Sequence, residues 1–333
     1  MNKIKDIARL ANTSVATVSR VINGDPNVSE ALKKRVYDVI EETGYVPNFV
    51  GRNLRTSKSY KLLVILPDIA NQFYSEILKG IEEQAGHCGY DVLTSITHLN
   101  TEIETRYLDM VKTRQVDGII SFYTAMDSEK IRELARTYPY VQACEPDMAA
   151  ESSYVMIDNE KAAYDAVTYL IEKGYQSIGM ISGTFYRNSE NARETGYRRA
   201  IQTAGLAFCS DNIKHASYDY ATGYAECTRL LEQKEPVTAV FSVSDVVAAG
   251  AVRSVLDHGL VPGKDVGIIG FDNTSLSEIY NPSITTVAQP RHDIGTIAVD
   301  LLMEKINDIH AISKGIVLPH HIVYRQSTGD CAE

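Results

Sequence analysis

The chain of 333 residues has no tryptophan and only five cysteines, at positions 88, 144, 209, 227 and 331, none in a Cys-x-x-Cys pair. That spacing offers neither a thiol redox motif nor a thiolate zinc site, and unpatterned thiols suit a reducing compartment. His-Glu-x-x-His, Gly-x-x-x-x-Gly-Lys-Ser/Thr and Gly-x-Ser-x-Gly are all missing, so zinc hydrolysis, P-loop nucleotide binding and α/β-hydrolase chemistry lack their carrying residues. No apolar run approaches the ~18 residues of a membrane span, and the first residues lack the charged-then-apolar pattern of a secretory leader. His320-His321 is an adjacent pair, but neighbours on a strand face opposite sides, which suits edge residues better than metal ligands. The expectation is a cytoplasmic protein that is not an enzyme and needs no metal or cofactor.

What is present begins at residue 4. Ile4, Ile7, Ala8 and Ala11 recur at helical spacing, so one stripe can be buried while Lys5 and Arg9 stay in water. Asn12, Thr13 and Ser14 interrupt the pattern. Ser14 suits an N-cap for a second helix whose inner face is Val18, Val21 and Ile22, stopped by Gly24, Asp25 and Pro26. A third helix is expected from Ser29, burying Leu32, Val36, Val39 and Ile40 and ending at Gly44, a residue suited to the left-handed position past a helix. Two helices joined by a tight turn form a helix-turn-helix, whose second helix enters the major groove with its early residues against base edges. Val15, Ala16 and Arg20 are the candidate readers: Arg20 can donate twice to guanine O6 and N7, and the other two offer apolar contact. Thr17, Ser19 and Asn23 suit phosphate contacts, and Ser14 at the helix start belongs to the same expected DNA-binding set. The competing reading of the same pattern is an ordinary three-helix cap that touches no DNA.

Charge divides the chain unevenly. Residues 1–58 carry ten Lys and Arg against six Asp and Glu, a net of +4, which leaves −14 on the rest of a chain whose net charge is −10. A basic front end on an acidic body confines phosphate attraction to one end. From Lys61 onward, compact apolar runs (62–66, 92–96, 118–122, 154–157, then 177–181, 238–241, 266–269) alternate with helical stretches near 74–85, 163–172, 192–204 and 246–258. Parallel strands covered on both faces read this way, and the double series predicts two α/β lobes of doubly wound parallel sheet. Ligands of such sheets bind outside the carboxyl ends of the strands, so the cleft between the lobes is the expected pocket.

The run Thr-Val-Ser-Arg-Val-Ile-Asn-Gly at 17–24, Gly-Tyr-Val-Pro-Asn at 44–48 and Arg-Asn-Leu-Arg at 52–55 resembles the headpiece and hinge of the lactose/galactose repressor family. The likeness continues through Asp68-Ile69 with Phe73-Tyr74-Ser75-Glu76-Ile77, Val116-Asp117-Gly118-Ile119, Ile157-Asp158-Asn159 and Gly270-Phe271-Asp272-Asn273. It implies a helix-turn-helix headpiece over 1–46, a hinge helix and linker over 47–60, and a periplasmic-binding-protein-like core over 61–333. The core divides into one lobe of about 61–159 plus 290–321 and another of about 160–289 plus 322–330. It also implies a homodimer on a pseudopalindromic operator, with Leu54 of each hinge wedged into the minor groove and Arg55 beside it on DNA. Gly51 stands where many relatives carry alanine, and glycine costs about 0.5–1 kcal/mol inside a helix.

Effector contacts carried over by the resemblance are Phe73, Tyr74, Glu145, Arg187, Ser189, Arg193, Tyr218, Ser244 and Asp272. A guanidinium and a carboxylate at 193 and 272 can together grip vicinal hydroxyls while Phe73 or Tyr218 covers an apolar face, and an interlobe salt bridge is the alternative role for Asp272. Residues 63–69 and 73–77 resemble the family's cytidine-repressor branch. Residues 23–28 and 318–328 resemble its catabolite-control branch, in which an arginine holds the phosphoserine of a carrier protein. Here that position is Asp300, and a carboxylate repels phosphate. The expectation is therefore a transcriptional repressor governed by a small sugar or nucleoside. Control by a protein partner, or a sensor or enzyme-like descendant of the binding-protein fold, are the rival classes.

Overall fold

The computed structural model describes residues 3–22, 24–45, 58–184 and 188–330, and the chain divides into two compact units, Met1–Ser59 and Tyr60–Glu333. In the first unit, α1 (Ile4–Leu10), α2 (Val15–Ile22) and α3 (Glu30–Thr43) enclose one small apolar core. Ile7, Ala11, Val18, Val21 and Val36 are fully buried in it, ringed by Ile4, Ile22, Leu32, Val39, Ile40 and Tyr45. The α1–α2 turn is made by Asn12 at φ 47°, a conformation Asn tolerates better than most residues. Ser14 Oγ accepts the Thr17 N–H at 3.1 Å and so caps α2. Gly44, at φ 60°, ends α3 in the left-handed cap that its sequence position predicts.

The second unit holds two six-stranded sheets. The first carries β1 (Lys61–Leu66), β2 (Asp91–Ile96), β3 (Gly118–Ser121), β4 (Tyr140–Ala143), β5 (Ser153–Ile157) and β11 (Gly315–Leu318), in the order β2-β1-β3-β4-β5-β11. Every pairing in it is parallel. The second carries β6 (Ile178–Gly183), β7 (Ile213–Ala216), β8 (Ala239–Ser242), β9 (Gly267–Asp272), β10 (Thr285–Ala288) and β12 (His321–Val323), in the order β7-β6-β8-β9-β10-β12. Its pairings are parallel except the antiparallel edge β10/β12. The first five strands of each sheet thus follow one winding, 2-1-3-4-5, the doubly wound pattern that the repeated apolar runs predict.

Three crossovers stitch the sheets together: after β5, after β10 and between β11 and β12. Around them pack α4 (Phe73–His87), α5 (Thr101–Lys112), α6 (Ser128–Thr137), α7 (Asn159–Glu172), α8 (Asn188–Thr203), α9 (Tyr220–Leu231), α10 (Asp245–Asp257), the short α11 (Ser275–Ile279) and α12 (Arg291–Asn307). Chain order does not decide which sheet a helix serves, because α12 follows β10 of the second sheet yet packs with α4 over β3, β4 and β5 of the first. One apolar cluster runs across both sheets, from Leu62, Val64 and Leu66 through Ala163 and Val167 to Phe241, Phe271 and Val287.

Candidate DNA-reading face and effector cavity

Alternation of burial along α2 leaves one side of the helix open. Val18 and Val21 are fully buried, whereas Val15, Ala16 and Arg20 are exposed. Ser14, whose hydroxyl caps the helix, and Thr17, 2.8 Å away through its own hydroxyl, stand at the amino end, where backbone N–H groups and the helix dipole favour an anion. Arg20 keeps 69% of its side-chain surface in solvent, with its Nε 4.0 Å from Asp25 Oδ2 in the following turn. Ser19, on the same helix, is 8% exposed. Asn23, Leu54 and Arg55, with Gly51 and the rest of residues 46–57 of the expected hinge, lie outside the described residues.

In the second unit, the carboxyl ends of the strands converge on a cavity of about 590 Å³. Residues following β1 (Ile69, Asn71, Gln72, Tyr74, Ser75) face residues following β7, β8 and β9 (Tyr218, Ser244, Asp245, Asp272, Thr274) across it. This is the strand end at which doubly wound sheets hold ligands. Its chemistry is a few polar groups beside aromatic rings, the pattern of a small-molecule site. Ser244 is 2% exposed and its Oγ has no hydrogen-bond partner among the described residues. Asp272 ends β9 at φ 102° and is followed by Asn273 at φ 51°, a costly conformation for residues with side chains and one that gathers at ligand clamps. Gln289 donates to Asp272 Oδ1 at 2.8 Å. Burial raises the Asp272 carboxyl above its ordinary range, opposed by Arg193, Gln289 and Arg291. Burial also pushes the neighbouring Asp245 up to about 7, aided by the charge of Asp272 and opposed by hydrogen bonds from Thr286 and Thr274.

Arg193 is not among the residues that line this cavity. It is 6% exposed, donates to Asn159 Oδ1 at 2.9 Å and to the Val243 carbonyl at 2.8 Å, and lies 3.6 Å above the Phe271 ring. Glu145, after β4, accepts from the backbone N–H of Ser189 at 3.1 Å and from its hydroxyl. Ser189 also lines a second cavity of about 560 Å³ with Cys144, Asp147, Asp158 and Asn188.

The sequence-derived effector set is therefore divided. Tyr74, Tyr218, Ser244 and Asp272 meet on the larger cavity, Glu145 and Ser189 pair with one another, and Arg193 is bonded to Asn159 and the Val243 carbonyl. Phe73 is 8% exposed and packs edge-on to Tyr74 at 5.3 Å, so the ring presented to the cavity is that of Tyr74. Arg187 lies outside the described residues. Asp245, Gln289 and Thr274 escape sequence reasoning, because an acid at a helix start and a threonine in a turn carry no pattern of their own. Among the described residues no His/Cys/Asp/Glu group could hold a metal ion, and no helix is long and apolar enough to cross a membrane. His320 turns its ring to Asp165 at 3.0 Å.

A three-helix headpiece with an open second helix, joined in sequence to a two-sheet binding unit, defines a DNA-binding transcriptional regulator with an effector-binding domain. Comparison with known proteins agrees. Residues 3–48 match the model of bacterial regulatory proteins, lacI family, and residues 167–328 that of a periplasmic binding protein-like domain. Catabolite control protein A of Priestia megaterium is 40% identical over 327 residues, covering 98% of each chain. The HTH-type transcriptional repressor CytR of Escherichia coli K12 is 36% identical over 326 residues, covering 98% of this chain and 96% of that one. The crystal structure of the Lac repressor dimer bound to operator and the anti-inducer ONPF shares the fold with a TM-score of 0.88 at 24% identity, over 98% of this chain and 99% of that one. The chain belongs to the lacI family of bacterial regulatory proteins.

Proposed function

We propose that this protein is a cytoplasmic repressor, without enzymatic activity, that binds a pseudopalindromic operator as a homodimer and is controlled by a small sugar or nucleoside in the cavity over Asp272. The headpiece (1–46) places Val15, Ala16 and Arg20 against base edges and Ser14 and Thr17 on phosphate. The hinge (47–60) contributes Leu54 and Arg55 at the dyad. The core (61–333) binds the effector and dimerises. The observation that carries the effector reading is the meeting of Ser244, Asp272, Tyr74 and Tyr218, from separate strand ends, on one cavity of about 590 Å³. An unsatisfied buried hydroxyl and a carboxylate can bind ligand hydroxyls, and tyrosine rings cover apolar ring faces. Phe73, Glu145, Arg187, Ser189 and Arg193 complete the proposed effector-binding set.

Control by a phosphorylated carrier protein is the second reading, favoured by the likeness to catabolite control protein A. Asp300 argues against it, because it accepts from Gln84 at 2.6 Å and puts a negative charge where an arginine is needed. Effector and operator are linked through differential affinity for two lobe arrangements, with a coupling of about 1–3 kcal/mol.

The test is a thermal-shift screen of sugars and nucleosides on the full chain, in which a ligand at 100 times its Kd stabilises by about 2.7 kcal/mol. Asp272→Ala should abolish that shift and the effector response while operator binding in its absence stays intact. A retained response removes Asp272 from the site.

A further inference from the structure

The turn that presents Asp272 has a single buried anchor on the neighbouring helix. Asp245, the first residue of α10, is 1% exposed. Its Oδ2 accepts the backbone N–H of Thr274 at 2.6 Å and the Thr274 hydroxyl at 2.9 Å. Its Oδ1 accepts the Thr286 hydroxyl at 2.5 Å, and Thr286 Oγ1 in turn accepts the Asn273 N–H at 3.3 Å. Both backbone amides that follow Asp272 thus end, directly or through one hydroxyl, on the same carboxylate. Gly270 leaves the room for this, since a Cβ there would stand 2.6 Å from Asp245 Oδ1. On the far side of the turn, Arg291 donates to the Asn273 carbonyl at 2.7 Å and Arg325 to Asn273 Oδ1 at 2.9 Å.

Asp272 and Asn273 hold φ of 102° and 51°. Residues with side chains stay in that region only where surrounding contacts over-determine it. Gathering one amide donor and two hydroxyls around one buried carboxylate, with a second amide held through one of those hydroxyls, is such a contact, because releasing it would leave several buried polar groups unpaired at once.

We infer that Asp245 is a positioning residue for effector recognition: it clamps the Asn273-Thr274 turn so that the Asp272 carboxylate is presented to the cavity. The inference rests on the proposed role of Asp272 in gripping the effector. Asp245 need not touch the ligand. Its carboxylate is occupied by Thr274 and Thr286, and its effect passes through the backbone of its neighbour.

The experiment compares full-length wild type, Asp245→Ala, Asp245→Asn and Thr286→Val by crystallography of residues 272–274, amide hydrogen exchange at Asn273 and Thr274, operator affinity, and thermal shift with D-ribose and cytidine. Asp245→Ala should move Asp272 to negative φ, speed exchange at both amides by at least about tenfold, and erase the wild-type ligand shift with operator affinity within about twofold. Asp245→Asn should restore both backbone and ligand shift, because its amide oxygen still accepts from Thr274. A general loss of packing would not be rescued this way. Thr286→Val, which keeps the acid and nearly the same volume, should speed exchange at Asn273 alone, so the clamp stays testable if the alanine variant does not fold. Unchanged φ and exchange in Asp245→Ala, or in Thr286→Val if the former is unfolded, would overturn the clamp. Should neither ligand shift the wild type, the choice of those effectors fails, and the backbone measurements still decide the clamp.

Discussion

Arg20 carries the one charged, bidentate donor on the open face of α2, and Asp25 stands 4.0 Å from its Nε. Replacing Arg20 by alanine should cost about 1–3 kcal/mol at one base position in each half-site. Operator variants measured position by position check this; an equal loss on every sequence would make Arg20 a phosphate contact. Asp245 invites a second measurement at the same scale. Its carboxyl is pushed up from 3.8 to about 7, so the folded chain holds that proton more tightly than the unfolded chain. The stabilisation is complete at a pH below about 4 and is lost as pH rises through about 7. Asp272, raised in the same direction, adds to the trend. Asp245→Asn does not titrate, so its melting temperature should gain on the wild type between about pH 4 and 7. A constant difference across that window would mean that Asp245 is ionised throughout.

At the level of elements, helix pairs are set by close backbone approach as much as by apolar stripes. In the pair α9/α10 the two glycines interlock: a Cβ on Gly223 would meet the Val247 carbonyl at 2.4 Å, and one on Gly250 the Tyr220 carbonyl at 2.2 Å. Neither obstacle is the end of a flexible side chain. Gly250→Ala should therefore destabilise the second unit by about 1–3 kcal/mol, the usual range for overpacking. Chemical denaturation of the full chain checks it, and a change below about 0.5 kcal/mol would show that the helices separate freely. The same helix carries Asp245 in its first turn, so altered spacing between α9 and α10 should also reach the effector turn. Apolar runs disclose β1, β2, β3, β5, β6 and β8 to within about two residues and the first half of β9, chiefly because buried parallel strands are continuously apolar. They do not disclose the edge strands β7, interrupted by Lys214 and His215, β11, with its exposed Val317, and β12, nor the interior β4 and β10, four residues each and carrying Gln142, Thr285 and Thr286. Edge strands are partly in water and can do without an apolar run, and a buried strand of four residues is too short for its run to stand out when it carries polar side chains.

For the whole molecule, the unequal charge is the property with the most direct consequence. The net +4 over residues 1–58 contrasts with the −10 of the full chain, so operator affinity should fall steeply with salt. A dimer with about 6–10 phosphate contacts loses roughly 10³–10⁵ in affinity between 50 and 200 mM. A flat salt response in an operator titration would contradict phosphate contact by this front end. The effector cavity sits at the acidic end of the sequence and draws on residues 69–78, 218, 244–246 and 272–276. Of its lining, Tyr74, Tyr218, Ser244 and Asp272 are reached through family likeness, whereas the structure alone brings in Asn71, Gln72, Asp245 and Thr274. Phe73 and Ser19 show why side-chain type is an incomplete guide. Each has the chemistry for contact, yet each is less than a tenth exposed, because one residue of rotation along a helix decides how far a side chain reaches solvent.

The sequence by itself determines the headpiece, since its three helices, their cap at Ser14 and their stop at Gly44 arise from periodicity and turn chemistry within some forty neighbouring residues. It determines the doubled α/β winding for the same reason. Only the tertiary structure decides which carboxylate presents and which one clamps. Asp245, Asp272, Thr274 and Thr286 stand on a helix, a strand end, a turn and another strand, and their roles come from hydrogen bonds closed across that distance in the absence of water.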